Sequence, residues 1–210
     1  MIKLKKGILI VFEGIDGAGK TTQTRLLCER LKDADFEVVL SKEPTDGEWG
    51  QKVKKLLEQG RNRVSPQEEL EWFIKDRQEH VANIIAPGLE QKKIVILDRY
   101  YLSTVAYQGS LGIDPEEIER KNFAFAPQPD ILFLIEIPPQ VGIQRIKKNR
   151  NNKVDFFERE HYLSKVNKIF VSFDKPFIHR LPGNEAIPKI ANQIWDITTR
   201  HLRERDLIER

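Results

Sequence analysis

The 210-residue chain has one cysteine, one methionine and four histidines. A lone cysteine, Cys28, excludes an internal disulfide and fits a reducing, cytoplasmic setting. It falls within an expected helix and reads as a small core residue. The histidines, His80, His161, His179 and His201, are scattered, and no pair has metal-ligand spacing. No apolar run approaches the ~18 residues that a membrane span requires. The opening MIKLKKGILIVFEG has the basic-then-apolar order of a secretory leader. Its apolar run passes straight into a glycine-rich loop with no cleavage-site pattern, so it reads as a buried first strand. Charge is not lopsided either. A net charge of +3 is too small to argue for a nucleic-acid polymer as partner.

What is present is an ordinary globular composition, 40% hydrophobic and 32% charged, with no repeat, linker or low-complexity tract. A single domain over residues 1–210 is expected. Apolar, β-branched bursts fall at Ile8–Phe12, Val38–Leu40, Ile94–Leu97, Ile131–Ile137 and Phe177–Leu181. Helical patterns separate them: about Lys20–Lys32, Glu48–Gln59, a long one opening at Ser65-Pro66 and running to about Ile85, Leu102–Gln108, one from Pro138-Pro139 to about Asn149, Glu158–Phe173 and Glu185–Arg203. Ser65, Pro66 and the acids Glu68 and Glu69 form a strong helix start: cap, proline in the first turn, negative charge near the positive end. Strands alternating with helices imply an α/β fold with a parallel sheet of five strands flanked by helices.

The loop after the first burst reads Gly14-Ile15-Asp16-Gly17-Ala18-Gly19-Lys20-Thr21-Thr22. It matches the G-x-x-x-x-G-K-[ST] pattern at every fixed position. Glycines permit the positive φ values that aim several N–H groups at one anion, and the following helix adds its positive end. Lys20 can reach the β and γ phosphates, and the Thr21 hydroxyl can coordinate Mg²⁺. The loop therefore predicts phosphate binding but leaves switch, motor, nuclease partner and kinase open. Lys93-Ile-Val-Ile-Leu-Asp98 supplies a strand-end acid, Asp98, to help hold the metal.

Arg99 adjoins that acid and is expected beside the phosphates. Ser103 with Tyr107, and Thr104 with Gln108, are i,i+4 pairs that give a polar and aromatic helix face. Phe73 and Arg77 form another i,i+4 pair, for which spacing alone favours a core phenylalanine and a surface arginine. Together these elements suggest a second nucleotide beside the first. A P-loop regulatory protein that hydrolyses nucleotide slowly would explain the loop and Asp98, but not the 99–108 face.

At these residues the sequence resembles a thymidylate kinase, of the P-loop nucleoside monophosphate kinase superfamily. FEGIDGAGKTTQ, KEPTDG, LEWFIKDRQEHV, DRYYLSTVAYQG, APQPDILFLIEIPP and VDFFERE occur in that family's order and approximate spacing, over nearly the whole chain. The resemblance implies a three-layer P-loop fold with a short mobile lid, and conversion of dTMP to dTDP with ATP and Mg²⁺ in the dTTP synthesis pathway. It implies that residues 14–22 hold ATP, with Thr21 and Asp98 at the metal. Phe73 would stack on thymine, Arg77 would bond its O4, Thr104 would face the pyrimidine edge, and Tyr107 would crowd the sugar 2′ position. Arg99 would bind the dTMP phosphate, Asp16 would sit between the phosphates and the sugar, and Ser103 and Gln108 would line the pocket. A homodimer is implied by the family alone, and Pro44 stands where the family often has a cis proline.

Two departures stand out. Lys42 replaces the commoner arginine of the KEP segment, and Lys54 stands where the family usually has a phosphate-binding arginine; lysine keeps the charge but loses the bidentate fork. Gly17 replaces the P-loop arginine of one branch of the family, so this sequence resembles the branch whose catalytic cation comes from the lid. The lid is expected at about 147–157. Arg150 is the first choice for the cation, ahead of Lys147, Lys148 and Lys153. By similarity, Asp155, Phe157 and Glu158 would approach the nucleotides as the lid closes.

Overall fold

The computed structural model describes residues 2–60, 64–149 and 156–209. Five strands, β1 Ile8–Glu13, β2 Val38–Lys42, β3 Ile94–Asp98, β4 Ile131–Glu136 and β5 Ile178–Pro182, form one sheet in the order β2-β3-β1-β4-β5. Every neighbouring pair is parallel. The central strands are the continuous apolar runs, as burial on both faces demands: Ile8–Phe12 and Ile94–Leu97 are at most 1% exposed. The edge strands β2 and β5 mix buried and exposed positions.

Each of the three central strands ends on an acid: Glu13, Asp98 and Glu136. Chain order reverses at β1, which pairs with β3 on one side and β4 on the other. In parallel α/β sheets, ligands bind at the carboxyl edge of such a switch point. Phe12 is in register with Asp98, so the loop after β1 and the chain after β3 emerge side by side.

Helices flank the sheet. α1 Lys20–Asp33 packs on β1, β2, β3 and on α9 Ile187–Glu204. α2 Glu48–Gln59 packs on α3 Pro66–His80, and the Ser65 hydroxyl accepts the Glu68 N–H at 3.2 Å, the expected cap. α3 does not stop at His80 but continues through a π-helical turn, Val81–Ile85, into α4 Ala86–Glu90. α5 Tyr101–Gly109 lies against α3, α6 Pro115–Phe123 and α8 Phe156–Ser172. α7 Pro139–Asn149 follows β4. α6 was not expected. Its start, Asp114-Pro115-Glu116-Glu117, carries the same cap, proline and acids as Ser65-Pro66, and Asp114 accepts the Glu116 N–H at 3.1 Å. Cys28 is a buried free thiol. Among the described residues, no helix is long and apolar enough to cross a membrane.

Candidate active site

The loop between β1 and α1 curls through three glycines of positive φ: Gly14 at 137°, Gly17 at 81° and Gly19 at 97°. Gly17 has no room for a side chain. A Cβ there would lie 2.6 Å from the Gly142 carbonyl oxygen of α7, besides requiring a left-handed backbone. Packing between two backbones thus keeps a cation out of this position. Lys20 Nζ, only 6% exposed, donates to the Gly14 and Ile15 carbonyls at 3.0 and 2.9 Å. Burial, with Arg99 adding, pushes its ammonium down to about 8, although Asp16, Asp98 and Glu13 partly restore it. A polyphosphate would supply the negative charge that this ammonium lacks.

The Thr21 hydroxyl donates to Asp98 Oδ2 at 2.5 Å. These are hard oxygen donors in the wall of a cavity of about 760 Å³, lined also by the rest of residues 16–23, Arg99 and Arg145. Among the described residues there is no cluster of three or more potential metal ligands. The pair fits Mg²⁺, which takes one or two protein oxygens and completes its shell with phosphates and water.

Arg99 ties this loop to α5. Its φ of 74° is a left-handed conformation that a bulky residue holds only at a cost, and its N–H donates to the Phe12 carbonyl at 3.0 Å. One guanidinium nitrogen donates to Asp16 Oδ1 at 2.6 Å. The other donates to Ser103 Oγ at 3.0 Å and reaches the Gly14 carbonyl at 3.4 Å. Burial opposes its charge, but Tyr107, Asp16, Glu13 and Asp98 more than offset this.

The polar face of α5 divides between two neighbours. Ser103 and Tyr107 turn to the P-loop: Ser103 Oγ donates to Glu13 Oε2 at 2.5 Å, and the Tyr107 hydroxyl accepts the Asp16 N–H at 3.2 Å. Thr104 and Gln108 turn to α3: Thr104 Oγ1 accepts from Arg77 at 2.9 Å, and Gln108 Nε2 donates to Glu69 at 2.9 Å.

Arg77 is the reverse of the surface arginine that spacing favoured. It is 1% exposed, whereas Phe73 is half-buried. Its Nε and one terminal nitrogen donate to Glu43 Oε2 at 3.0 and 2.5 Å, and the other terminal nitrogen donates to Asn122 Oδ1 at 2.5 Å. His80 joins the same network, with Nδ1 3.0 Å from Glu43 Oε1 and Nε2 2.8 Å from Ser41 Oγ. Burial opposes ionisation of Glu43, yet Arg77 and His80 outweigh it and hold the carboxyl below its usual range. A five-donor guanidinium locked this way presents a fixed edge.

The model of the thymidylate kinase family matches residues 12–194. The chain belongs to the thymidylate kinase family. It is 45% identical to the thymidylate kinase of Desulfotalea psychrophila over 188 residues, 90% of this chain and 92% of that protein. The corresponding figures are 43% over 205 residues, 97% and 89%, for the enzyme of Xanthomonas euvesicatoria. For that of Akkermansia muciniphila they are 44% over 190 residues, 90% and 90%.

Within this thymidylate kinase family member, Asp16, Lys20, Thr21, Asp98 and Arg99 stand together around the cavity, with Gly17, Ala18, Gly19 and Thr22. Ile15 is buried beneath the loop. Phe73, Arg77, Ser103, Thr104, Tyr107 and Gln108 are not part of its wall. Lys54 pairs with Asp46 of the β2–α2 loop and is not part of the cavity wall, whereas Lys42 is. Pro44 follows a cis peptide bond. Arg145 sits on α7 and donates to the Gly17 and Gly183 carbonyls at 3.1 and 3.0 Å. Arg150, Lys153 and Asp155 lie outside the described residues, as do the side chains of Lys148, Phe157 and Glu158. Glu13, Glu43, His80 and Asn122 went unread. Glu13 was signalled by a lone acid closing an otherwise apolar strand, and Asn122 by the helix start at Asp114.

Proposed function

We propose that the chain transfers the γ-phosphoryl group of ATP to dTMP, giving ADP and dTDP. The observation that carries this reading is Arg99. Its guanidinium bonds the P-loop through Asp16 and the acceptor helix through Ser103, so one cation faces both phosphate sites.

An oxygen of the dTMP phosphate attacks the γ phosphorus of ATP, and the bond to the ADP oxygen breaks. The acceptor is already anionic near neutral pH and needs no strong base. The barrier is electrostatic: two anions approach and charge spreads over the transferred group. Lys20 holds the β and γ phosphates, and Arg99 holds the dTMP phosphate in line. Thr21 and Asp98 would hold Mg²⁺, which would supply positive charge against the phosphates. Asp16 orients Arg99 between donor and acceptor. Phe73 stacks on thymine while Arg77 and Thr104 read its edge. Tyr107 closes the sugar 2′ side. Ser103 and Gln108 act from behind this face, braced on Glu13 and Glu69, and Lys54 serves the outer acceptor side.

A closing segment at about 147–157 excludes water and supplies the last cation, with Arg150 first in line. Arg150→Ala should lower kcat by about 10³-fold or more with little change in KM for dTMP, the pattern of a contact made in the transition state. Single-turnover chemistry at the wild-type rate in Arg150→Ala would remove it from that role. We also read the whole chain as one cytoplasmic kinase domain that works as a homodimer; sedimentation at the mass of one 24.5 kDa chain would count against the dimer.

The decisive experiment measures ADP release with ATP–Mg²⁺ and a panel of monophosphates. dTMP should be preferred over dUMP, which lacks one methyl, by about 10- to 200-fold. dCMP, dGMP and ribothymidine monophosphate should be poor acceptors. Release that is indifferent to the acceptor would favour the slow hydrolase instead.

A further inference from the structure

Glu13, named above only as a brace for Ser103, is fully buried at the junction of the two nucleotide sites. Its two carboxylate oxygens have different tasks. Oε1 accepts the Tyr100 and Ser103 backbone N–H groups, both at 2.9 Å. This caps α5 from another strand, since the helix's own N-cap residue, Tyr100, provides no side-chain cap. Oε2 accepts the Ser103 hydroxyl hydrogen at 2.5 Å. A serine hydroxyl has one hydrogen and two lone pairs. With its hydrogen committed to Glu13, Ser103 Oγ can only accept on its other side, where Arg99 donates at 3.0 Å.

We propose that Glu13 is a positioning residue for the acceptor phosphate: through Ser103 it fixes one arm of the Arg99 guanidinium, as Asp16 fixes the other. This rests on Arg99 being the acceptor-phosphate ligand. The charged and titratable groups around Glu13 are Arg99 at the β3–α5 junction, Lys20 on α1 and Tyr101 on α5. Burial raises the Glu13 carboxyl to about 7, with Ser103 and Arg99 partly opposing it. Once protonated, Oε2 no longer takes the serine hydrogen, and the link to Arg99 loosens.

The test is Glu13→Gln. Its amide oxygen can keep both N–H caps, while its NH₂ faces Ser103 and forces the serine hydrogen toward the cationic Arg99. kcat/KM for dTMP should fall about 10-fold or more, the scale of one hydrogen bond to a charged group. KM for ATP should change by less than about twofold. Ser103→Ala breaks the same link from the other side, so the double variant should be no worse than the poorer single one. Because the link needs an ionised Glu13, the gap between wild type and Glu13→Gln should be wide above pH 7 and close toward pH 6. The titration of dTMP itself is common to both proteins and cancels in their ratio. A role confined to capping α5 would lower the melting temperature and leave that ratio flat with pH. A flat ratio, wild-type use of dTMP by Glu13→Gln, or multiplicative effects in the double variant would overturn the proposal. Arg99→Ala separates the two levels. If it leaves KM for dTMP unchanged, the reading of Arg99 fails; if it raises KM while Glu13→Gln does not, only the role of Glu13 fails.

Discussion

Lys20→Ala is expected to lower kcat by roughly 10³–10⁵-fold, the worth of one cation placed on a transferring phosphoryl group, without unfolding the protein. The rate effect follows from charge. Beside Arg99, this ammonium is the cation at the start of α1 where the β and γ phosphates are expected. The stability effect follows from burial, which pushes Lys20 down to about 8 from an ordinary value of 10.5. A lysine whose pKa is lower in the fold than in the unfolded chain favours the unfolded chain while it is charged, at pH values below about 8. Alanine removes that penalty together with two hydrogen bonds to loop carbonyls. The opposing changes should leave the melting temperature within about 2–4 °C of wild type, equivalent to ~1 kcal/mol for a chain of this size. Single-turnover kinetics and thermal melting of the same preparation check both halves. Near-normal turnover would remove Lys20 from the chemistry, and a collapsed melting temperature would mean that the lysine mainly holds the loop together.

Arg77→Leu should show the opposite balance, with a large loss of stability alongside a loss of base selection. Arg77 and Glu43 are buried together, so removing the arginine leaves a carboxylate in the interior with His80 as its remaining basic partner. Breaking a buried pair from one side destabilises by about 3–5 kcal/mol. At ~2–4 °C per kcal/mol, the melting temperature should fall by roughly 10 °C. Preference for dTMP over dCMP should drop at the same time, because the guanidinium edge proposed to read the base is gone. Adding Glu43→Gln to Arg77→Leu separates the effects. The stranded charge disappears and most of the melting temperature should return, while base selection stays lost. Recovery of both would mean that Arg77 acts only as a structural counter-ion, and recovery of neither would mean that Glu43 matters for more than its charge.

The parts of this site that could be read along the chain are those whose geometry is short-range. Gly14, Gly17, Gly19, Lys20 and Thr21 lie within eight consecutive positions, and glycine's backbone freedom together with a helix start nearly dictates their arrangement. The strands were legible because β1, β3 and β4 are buried on both faces and so carry unbroken apolar runs. Asp98 and Arg99 followed from one of those runs ending on an acid. The segment KEPTDG was recognised, but nothing local showed that Glu43 points inward.

Tertiary structure alone decided what the charged side chains do. Spacing on α3 states that Phe73 and Arg77 share a face, not what covers it. The covering groups, Glu43, Thr104 and Asn122, stand 34, 27 and 45 positions away, in the loop after β2, on α5 and on α6. They make burial of a guanidinium affordable where solitary burial would be prohibitive. Glu13 meets its partners across 87 and 90 positions, through the register that sets Phe12 beside Asp98. Gly17 shows the same division. Its sequence context announced a phosphate loop, but the approach of α7 at Gly142, which with the left-handed backbone leaves no place for a side chain, is visible only in the fold. A sequence pattern encodes which groups share a local surface; whether a charge there meets water or a partner is set by chain segments far away, and their approach is fixed only when the sheet assembles.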